Sequence, residues 1–114
     1  MKAAVFLVML TANVDAFAAQ VIDVHRIADA IYRAEGGRKA RPAYGIKGVK
    51  VRNTAHAREV CIRTIKNAHA EWDGEGDFIE FLSRKYAPIG ARNDPGNLNS
   101  HWARNVRHHM EKLP

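Results

Sequence analysis

Apolar residues recur three or four positions apart in four separate stretches of this chain, and between the stretches lie glycines, prolines and small polar residues. A period near 3.6 lines such residues along one face of a helix, whereas a half-buried strand requires strict alternation. The pattern therefore predicts a mainly α fold: a small helical domain with long polar loops. The first stretch covers residues 23–35, with Val24, Ile27, Ala28, Ile31 and Ala34 along one side. Asp23 is placed to cap it, and Gly36-Gly37 end it because glycine accepts the left-handed turn that follows a helix. Thr54 can open a second helix that continues to residue 72, with Ala57, Val60, Cys61, Ile65, Ala68 and Trp72 on its apolar face. Gly74 and Gly76 make continuation costly. A third helix is expected over residues 77–86, where Asp77 and Glu80 have capping-box spacing and Phe78, Phe81 and Leu82 form a buried stripe. The last, over residues 100–112, sets Trp102, Val106, Met110 and Leu113 on one side.

The connections are as informative as the helices. Residues 38–53 are rich in Gly, Pro and Lys and read as a long loop, with a short extended piece at 49–51. Residues 87–99 hold Pro88, Gly90, Asp94-Pro95-Gly96 and three asparagines, a composition that demands turns. Loops of this length in a compact domain are usually functional. A chain of 114 residues has room for one domain. Met1-Lys2, an apolar run over residues 3–10 and Ala16-Phe17-Ala18 have the three-part layout of a secretory signal peptide. Residues 1–18 thus read as a leader cleaved near Ala18 and residues 19–114 as the domain, which implies a periplasmic or secreted location. The apolar run falls short of the roughly 20 residues a membrane span needs. The mature chain is accordingly expected to carry no span and to act as a monomer.

Cys61 is the only cysteine, so no intramolecular disulfide can form, and its place on an apolar helix face reads as a small buried hydrophobe. The six histidines lack the helical spacing around a glutamate that marks a zinc protease, and no phosphate-binding glycine loop is present. Neither a metal nor a cofactor is expected. His108-His109 lie where they favour the negative end of the last helix's dipole. The formal net charge of +6 draws the chain to polyanions: nucleic acid, acidic membranes or anionic wall polymers. For an exported chain the wall is the nearest of these. A surplus of Lys and Arg also simply keeps a small domain soluble.

Glu35 is the first candidate for chemistry. It ends an amphipathic helix just before two glycines, where a carboxylate can either project into a cleft or sit solvated at a helix end. Apolar walls favour the protonated form of a carboxyl group, which is what a general acid for glycosidic cleavage requires. Ile31-Tyr32-Arg33-Ala34-Glu35-Gly36-Gly37, followed by Tyr44-Gly45-Ile46, resembles the signature of soluble lytic transglycosylases and related lysozyme-like domains. In those domains a helix ends in the catalytic glutamate beside small residues, and a glycine-containing segment follows. The block Phe78-Ile79-Glu80-Phe81-Leu82-Ser83-Arg84-Lys85-Tyr86-Ala87-Pro88 is similar to a bacterial branch of the same superfamily. So are Asn93-Asp94-Pro95 and Leu98-Asn99-Ser100-His101-Trp102. The likeness touches most of the chain from Ile27 to Val106. Two departures stand out: Gly36 replaces the usual serine, and Gly45-Ile46-Lys47-Gly48 replaces the usual Gly-Leu-Met-Gln.

The resemblance implies a lysozyme-like fold and cleavage of the glycan strands of peptidoglycan. Glu35 would protonate the bridging oxygen between sugars and then act as base. Its target as base is either the sugar's own 6-hydroxyl, which closes an anhydro ring, or water. A second carboxylate would favour ordinary hydrolysis. Glu71, Asp73, Glu75, Asp77 and Asp94 are available, but Asp77 reads as a cap and Asp94 as a turn residue, so a single-carboxylate mechanism is expected. The resemblance puts Tyr44, Gly45, Ile46, Tyr86, Asn93, Asn99 and Trp102 along the glycan groove. Tyr44, Tyr86 and Trp102 have faces that stack on sugars, and Asn93 and Asn99 pair a donor with an acceptor. By helical spacing Trp102 and Trp72 read equally as core. A partner complex of the cell envelope is a further expectation. Two other functions fit the same residues. One is a non-catalytic exported module that binds the wall or a protein. The other is a basic nucleic-acid-binding helical domain using Arg38, Lys39, Arg41, Lys47, Lys50 and Arg52 on phosphates.

Overall fold

The computed structural model describes residues 21–46, 49–87 and 96–114. The expected leader, and with it the cleavage site near Ala18, lies outside the described residues. Four helices account for most of the rest: α1 (Val24–Ala34), α2 (Thr54–Glu71), α3 (Phe78–Tyr86) and α4 (Trp102–Lys112). Short 3-10 turns stand at Gly37–Lys39, Ala43–Gly45 and Leu98–His101. The fold is mainly α, as the periodicity predicts. No strand occurs among the described residues. At 49–51 the expected extended piece has no neighbouring strand to pair with, and Val49 is half exposed. None of the described helices is long and apolar enough to cross a membrane.

The starts of α1, α2 and α3 are each set by a side-chain oxygen that satisfies an otherwise orphaned N–H, while α4 continues from a 3-10 turn without a side-chain cap. Asp23 accepts from the Arg26 N–H at 3.0 Å, and Asp77 accepts from the Ile79 N–H at 2.8 Å. At α2 the cap is Asn53 rather than Thr54: Asn53 is extended and its Oδ1 accepts from the His56 N–H at 2.8 Å. Thr54 is already the first helical residue. Glu80 turns away from the expected capping box and joins Asp77 in holding Arg107 of α4. The end of α4 is closed from outside itself. The Arg26 guanidinium of α1 donates to the carbonyls of Met110, in the last turn, and of Leu113 and Pro114 just beyond it.

The core is one cluster to which every helix contributes. α1 packs against both α2 and α4, and α3 closes the ring between them. Ile31, Cys61, Ile65, Leu82 and Val106 are the largest fully buried side chains. Cys61 is therefore the buried hydrophobe its helix face implies. In α3 the buried stripe is Phe78, Ile79 and Leu82. Phe81 is only half-buried, with Arg84 and Lys85 over its ring at 5.4 and 5.9 Å. α4 buries Trp102, Ala103 and Val106, while Met110 and Leu113 pack at its edge. This arrangement brings the C-terminal ends of α1 and α3 to the start of α4, with the Ala43–Gly45 turn against α1 and α2.

Candidate active site

Glu35 is the C-cap of α1. Its N–H still bonds to the Ile31 carbonyl at 2.9 Å, and the chain leaves the helix through Gly36 and Gly37, both at positive φ. The side chain is half-buried. Its Oε1 accepts a hydrogen bond from the indole Nε1–H of Trp102 at 2.9 Å, a contact between residues 67 apart in sequence. Trp102 is 5% exposed, as its core reading implies, and it also touches the Glu35 carboxyl group. One ring carries the start of α4 into the core and presents its single polar atom to the carboxyl group.

The Ala43–Gly45 turn closes the other side. Tyr44 and Gly45 both have positive φ, 60° and 65°, a conformation that is costly for tyrosine. A Cβ at Gly45 would fall 2.0 Å from Glu35 Oε2 and 2.5 Å from Cδ. Glycine stands here because the carboxyl group occupies the space a side chain would need. Tyr44 is held in its unfavourable conformation from three sides. Its carbonyl accepts from the Tyr86 hydroxyl, its own hydroxyl accepts from Arg58 Nη1 at 3.2 Å, and its ring packs on Tyr32 with centroids 5.0 Å apart. Arg58 Nη1 also donates to Asp29 at 2.6 Å, tying the turn back to the helix that ends in Glu35. Tyr86, at the end of α3, completes the enclosure by stacking on Trp102, with centroids 5.1 Å apart and planes inclined by 25°.

The electrostatics follow from this packing. Burial raises the Tyr86 phenol far above its ordinary value, and the neighbouring charges of Cys61, Glu35 and Tyr44 add to the effect. Burial also pushes the Cys61 thiol up to about 11, with the Glu35 charge contributing in the same direction. Both groups are neutral wherever the protein is folded near neutral pH. The hydrogen bond to Tyr44 raises the Arg58 guanidinium further, so it stays a permanent donor.

Glu35, Tyr44, Gly45, Tyr86 and Trp102 thus meet at one place. Ile46 follows the turn and is itself buried. It borders a groove of about 140 Å³ whose other walls are Val49, Val60, Thr64, Lys85 and Tyr86. A second hollow of about 150 Å³ shares Thr64 and Lys85 with the first and continues along α2 to Asn67 and Glu71. Asn99 lies in the 3-10 turn just ahead of α4, where its carbonyl accepts the Trp102 N–H. Asn93 lies outside the described residues, as does Asp94. Of the remaining candidate carboxylates Glu75 is exposed, and three are engaged elsewhere. Glu71 pairs with Lys85 at 2.6 Å, Asp73 accepts the Glu75 N–H at 2.9 Å, and Asp77 serves α3 and Arg107. A larger hollow, about 380 Å³, lies between the start of α1 and the chain's C-terminus, lined by Asp23, His25, Arg26, Asp29, Arg33, Leu113 and Pro114. Among the described residues no three His, Cys, Asp or Glu side chains are grouped to hold a metal ion.

The sequence reading missed Arg58 and Asp29. Nothing in the run Ala57-Arg58-Glu59 distinguishes a guanidinium that reaches the Tyr44 hydroxyl from one in solvent. The only available signal was that Arg58 sits one position from the apolar face. Compared with protein-family models, with curated proteins and with solved structures, the chain has no significant match.

Proposed function

We propose that this protein cleaves β-1,4 glycosidic bonds in the glycan strands of peptidoglycan, with Glu35 acting first as acid and then as base. The observation that carries the reading is the seat of the Glu35 carboxyl group, between the Trp102 indole N–H and the Cα of Gly45. An indole nitrogen only donates, so Oε1 remains an acceptor in every protonation state of the glutamate. The acidic proton is then carried on Oε2, and the carboxyl group is oriented before substrate arrives. Delivering that proton to the bridging oxygen breaks the bond to the anomeric carbon. The resulting carboxylate takes a proton from the sugar's 6-hydroxyl, which closes an anhydro ring, or from water, which gives a reducing end. Engagement of Glu71, Asp73 and Asp77 elsewhere favours the single-carboxylate route. Tyr86 and the groove beyond it supply a wall along which a sugar chain can lie. An exported location after leader cleavage belongs to the same proposal.

The test is digestion of purified peptidoglycan by the protein and by Glu35→Gln, with mass analysis of the soluble fragments. Removing a general acid lowers the rate on the order of 10²–10⁴-fold. Anhydro-ended fragments lost in the variant mark a lytic transglycosylase, and reducing ends mark a hydrolase. Retention of the wall by both proteins with no fragment released would replace catalysis by a binding module.

A further inference from the structure

The segment 36–53 contains Arg38, Lys39, Arg41, Lys47, Lys50 and Arg52 and no acidic residue, so its charge equals the formal net charge of the whole chain, +6. The remainder of the sequence is balanced, with twelve cations and twelve acids. The described residues of the segment are also anchored. Ala40, Tyr44 and Ile46 are buried and Val51 packs on the core, while Arg38, Lys39, Lys50 and Arg52 are exposed. None of these four makes an ion pair among the described residues, in contrast to Arg58, Lys85 and Arg107, which hold acids on other elements. Arg41 turns its guanidinium back on the carbonyls of Arg38 and Ala40, and Lys47 lies outside the described residues.

Unpaired cations on a pinned segment bind a polyanion with little ordering cost and with release of its counterions. The only aromatic residue of the segment, Tyr44, is buried, which removes the exposed ring on which a nucleic-acid base would stack. Such a surface reads charge alone. It also starts directly after Glu35 and carries Gly45, which touches the Glu35 carboxyl group. We propose that Arg38, Lys39, Lys50 and Arg52 form a binding surface for a phosphodiester-linked polyol chain of the cell wall, beside the Glu35 site. The choice of this partner rests on the glycan-cleavage reading; the surface itself does not.

Calorimetric titration of the intact chain with poly(glycerol phosphate), at about 50 and about 200 mM salt, tests it. Affinity should fall at least about tenfold across that range, since several phosphate contacts release counterions together. The variant Arg38→Gln/Lys39→Gln/Lys50→Gln/Arg52→Gln should bind at least about tenfold more weakly. Arg63→Gln/Lys66→Gln/Arg104→Gln/Lys112→Gln loses the same charge from other exposed positions and should stay within about threefold of the parent, because only cations that neutralise a phosphate release its counterions. Circular dichroism melts of both variants secure their folding. Equal losses in the two variants, no binding by the parent, or tighter binding of single- or double-stranded DNA would each overturn the proposal. Binding is read without catalysis. A chain that binds the polymer but cuts no glycan sinks the cleavage reading alone, and one that cuts glycan but binds no polymer sinks this one alone.

Discussion

Two networks in this protein each join elements far apart in sequence, and they are built differently. At the outer edge of α3 and α4, Arg107 holds Asp77 at 2.7 Å and Glu80 at 3.3 Å, with all three side chains about 40–55% exposed. Behind the α1 terminus, Arg58, Tyr44, Tyr86, Trp102 and Glu35 are linked by hydrogen bonds and ring packing, with Tyr44 and Trp102 nearly inaccessible. Water competes for every contact in the first network and screens its charges, so its loss changes little. In the second, a deleted partner leaves a polar atom facing protein rather than solvent, and the cost rises accordingly. Similar bond lengths therefore stand for unequal energies, and the unequal part surrounds Glu35.

The largest test of this contrast is Gly45→Ala. The added methyl meets the Glu35 carboxyl group and forces alanine to positive φ, which should cost about 3 kcal/mol in urea unfolding and move Glu35 out of place. A stability loss below about 1 kcal/mol would mean that the turn shifts freely.

Next comes pH. In the folded protein the Cys61 thiol titrates at about 11, against 9.0 for an ordinary thiol, and the Tyr86 phenol is raised as well. A group raised in the folded state binds its proton more tightly there. Its contribution is complete below the unfolded value and is lost as pH climbs through the folded one. Stability measured by urea titration should hold to about pH 9 and fall on the order of 2–3 kcal/mol by about pH 11. Cys61→Ala, though less stable at neutral pH, should show a shallower fall. An unchanged slope in that variant would remove Cys61 from the account.

Trp102→Phe keeps an aromatic ring under Tyr86 but deletes the donor to Glu35, and should cost about 2 kcal/mol. At the small end, Arg107→Ala should cost under about 1 kcal/mol, and less still at high salt. If thermal melts ranked Arg107→Ala above Trp102→Phe, the comparison between the two networks would be inverted.

How far the sequence could carry this picture depended on the range of the interaction. Helix extents followed from local chemistry: the 3.6 period, the caps Asp23 and Asp77, and the stop at Gly36-Gly37. The cap lies one position before Thr54 because asparagine is the stronger cap of the two, and the extended backbone of Asn53 lets its side chain reach the His56 N–H. Glu35, Tyr86 and Trp102 were legible as candidates, but their meeting was not, since it depends on α1 and α3 ending where α4 begins. Least legible was Tyr44 at positive φ. Local preference places glycine or asparagine there, and tertiary contacts from Tyr86, Arg58 and Tyr32 override it.

The indole that donates to Glu35 also makes the site optically readable. The chain has two tryptophans, and Trp72 is bonded through Nε1 to the Glu75 carbonyl in the turn before α3. Replacing Trp72 by phenylalanine leaves one tryptophan, which can be excited selectively over the three tyrosines and whose emission depends on the charge and contacts of the Glu35 carboxyl group beside it. Ligand entry and glutamate protonation can then be followed by intrinsic fluorescence in the unlabelled protein, with no substrate turned over.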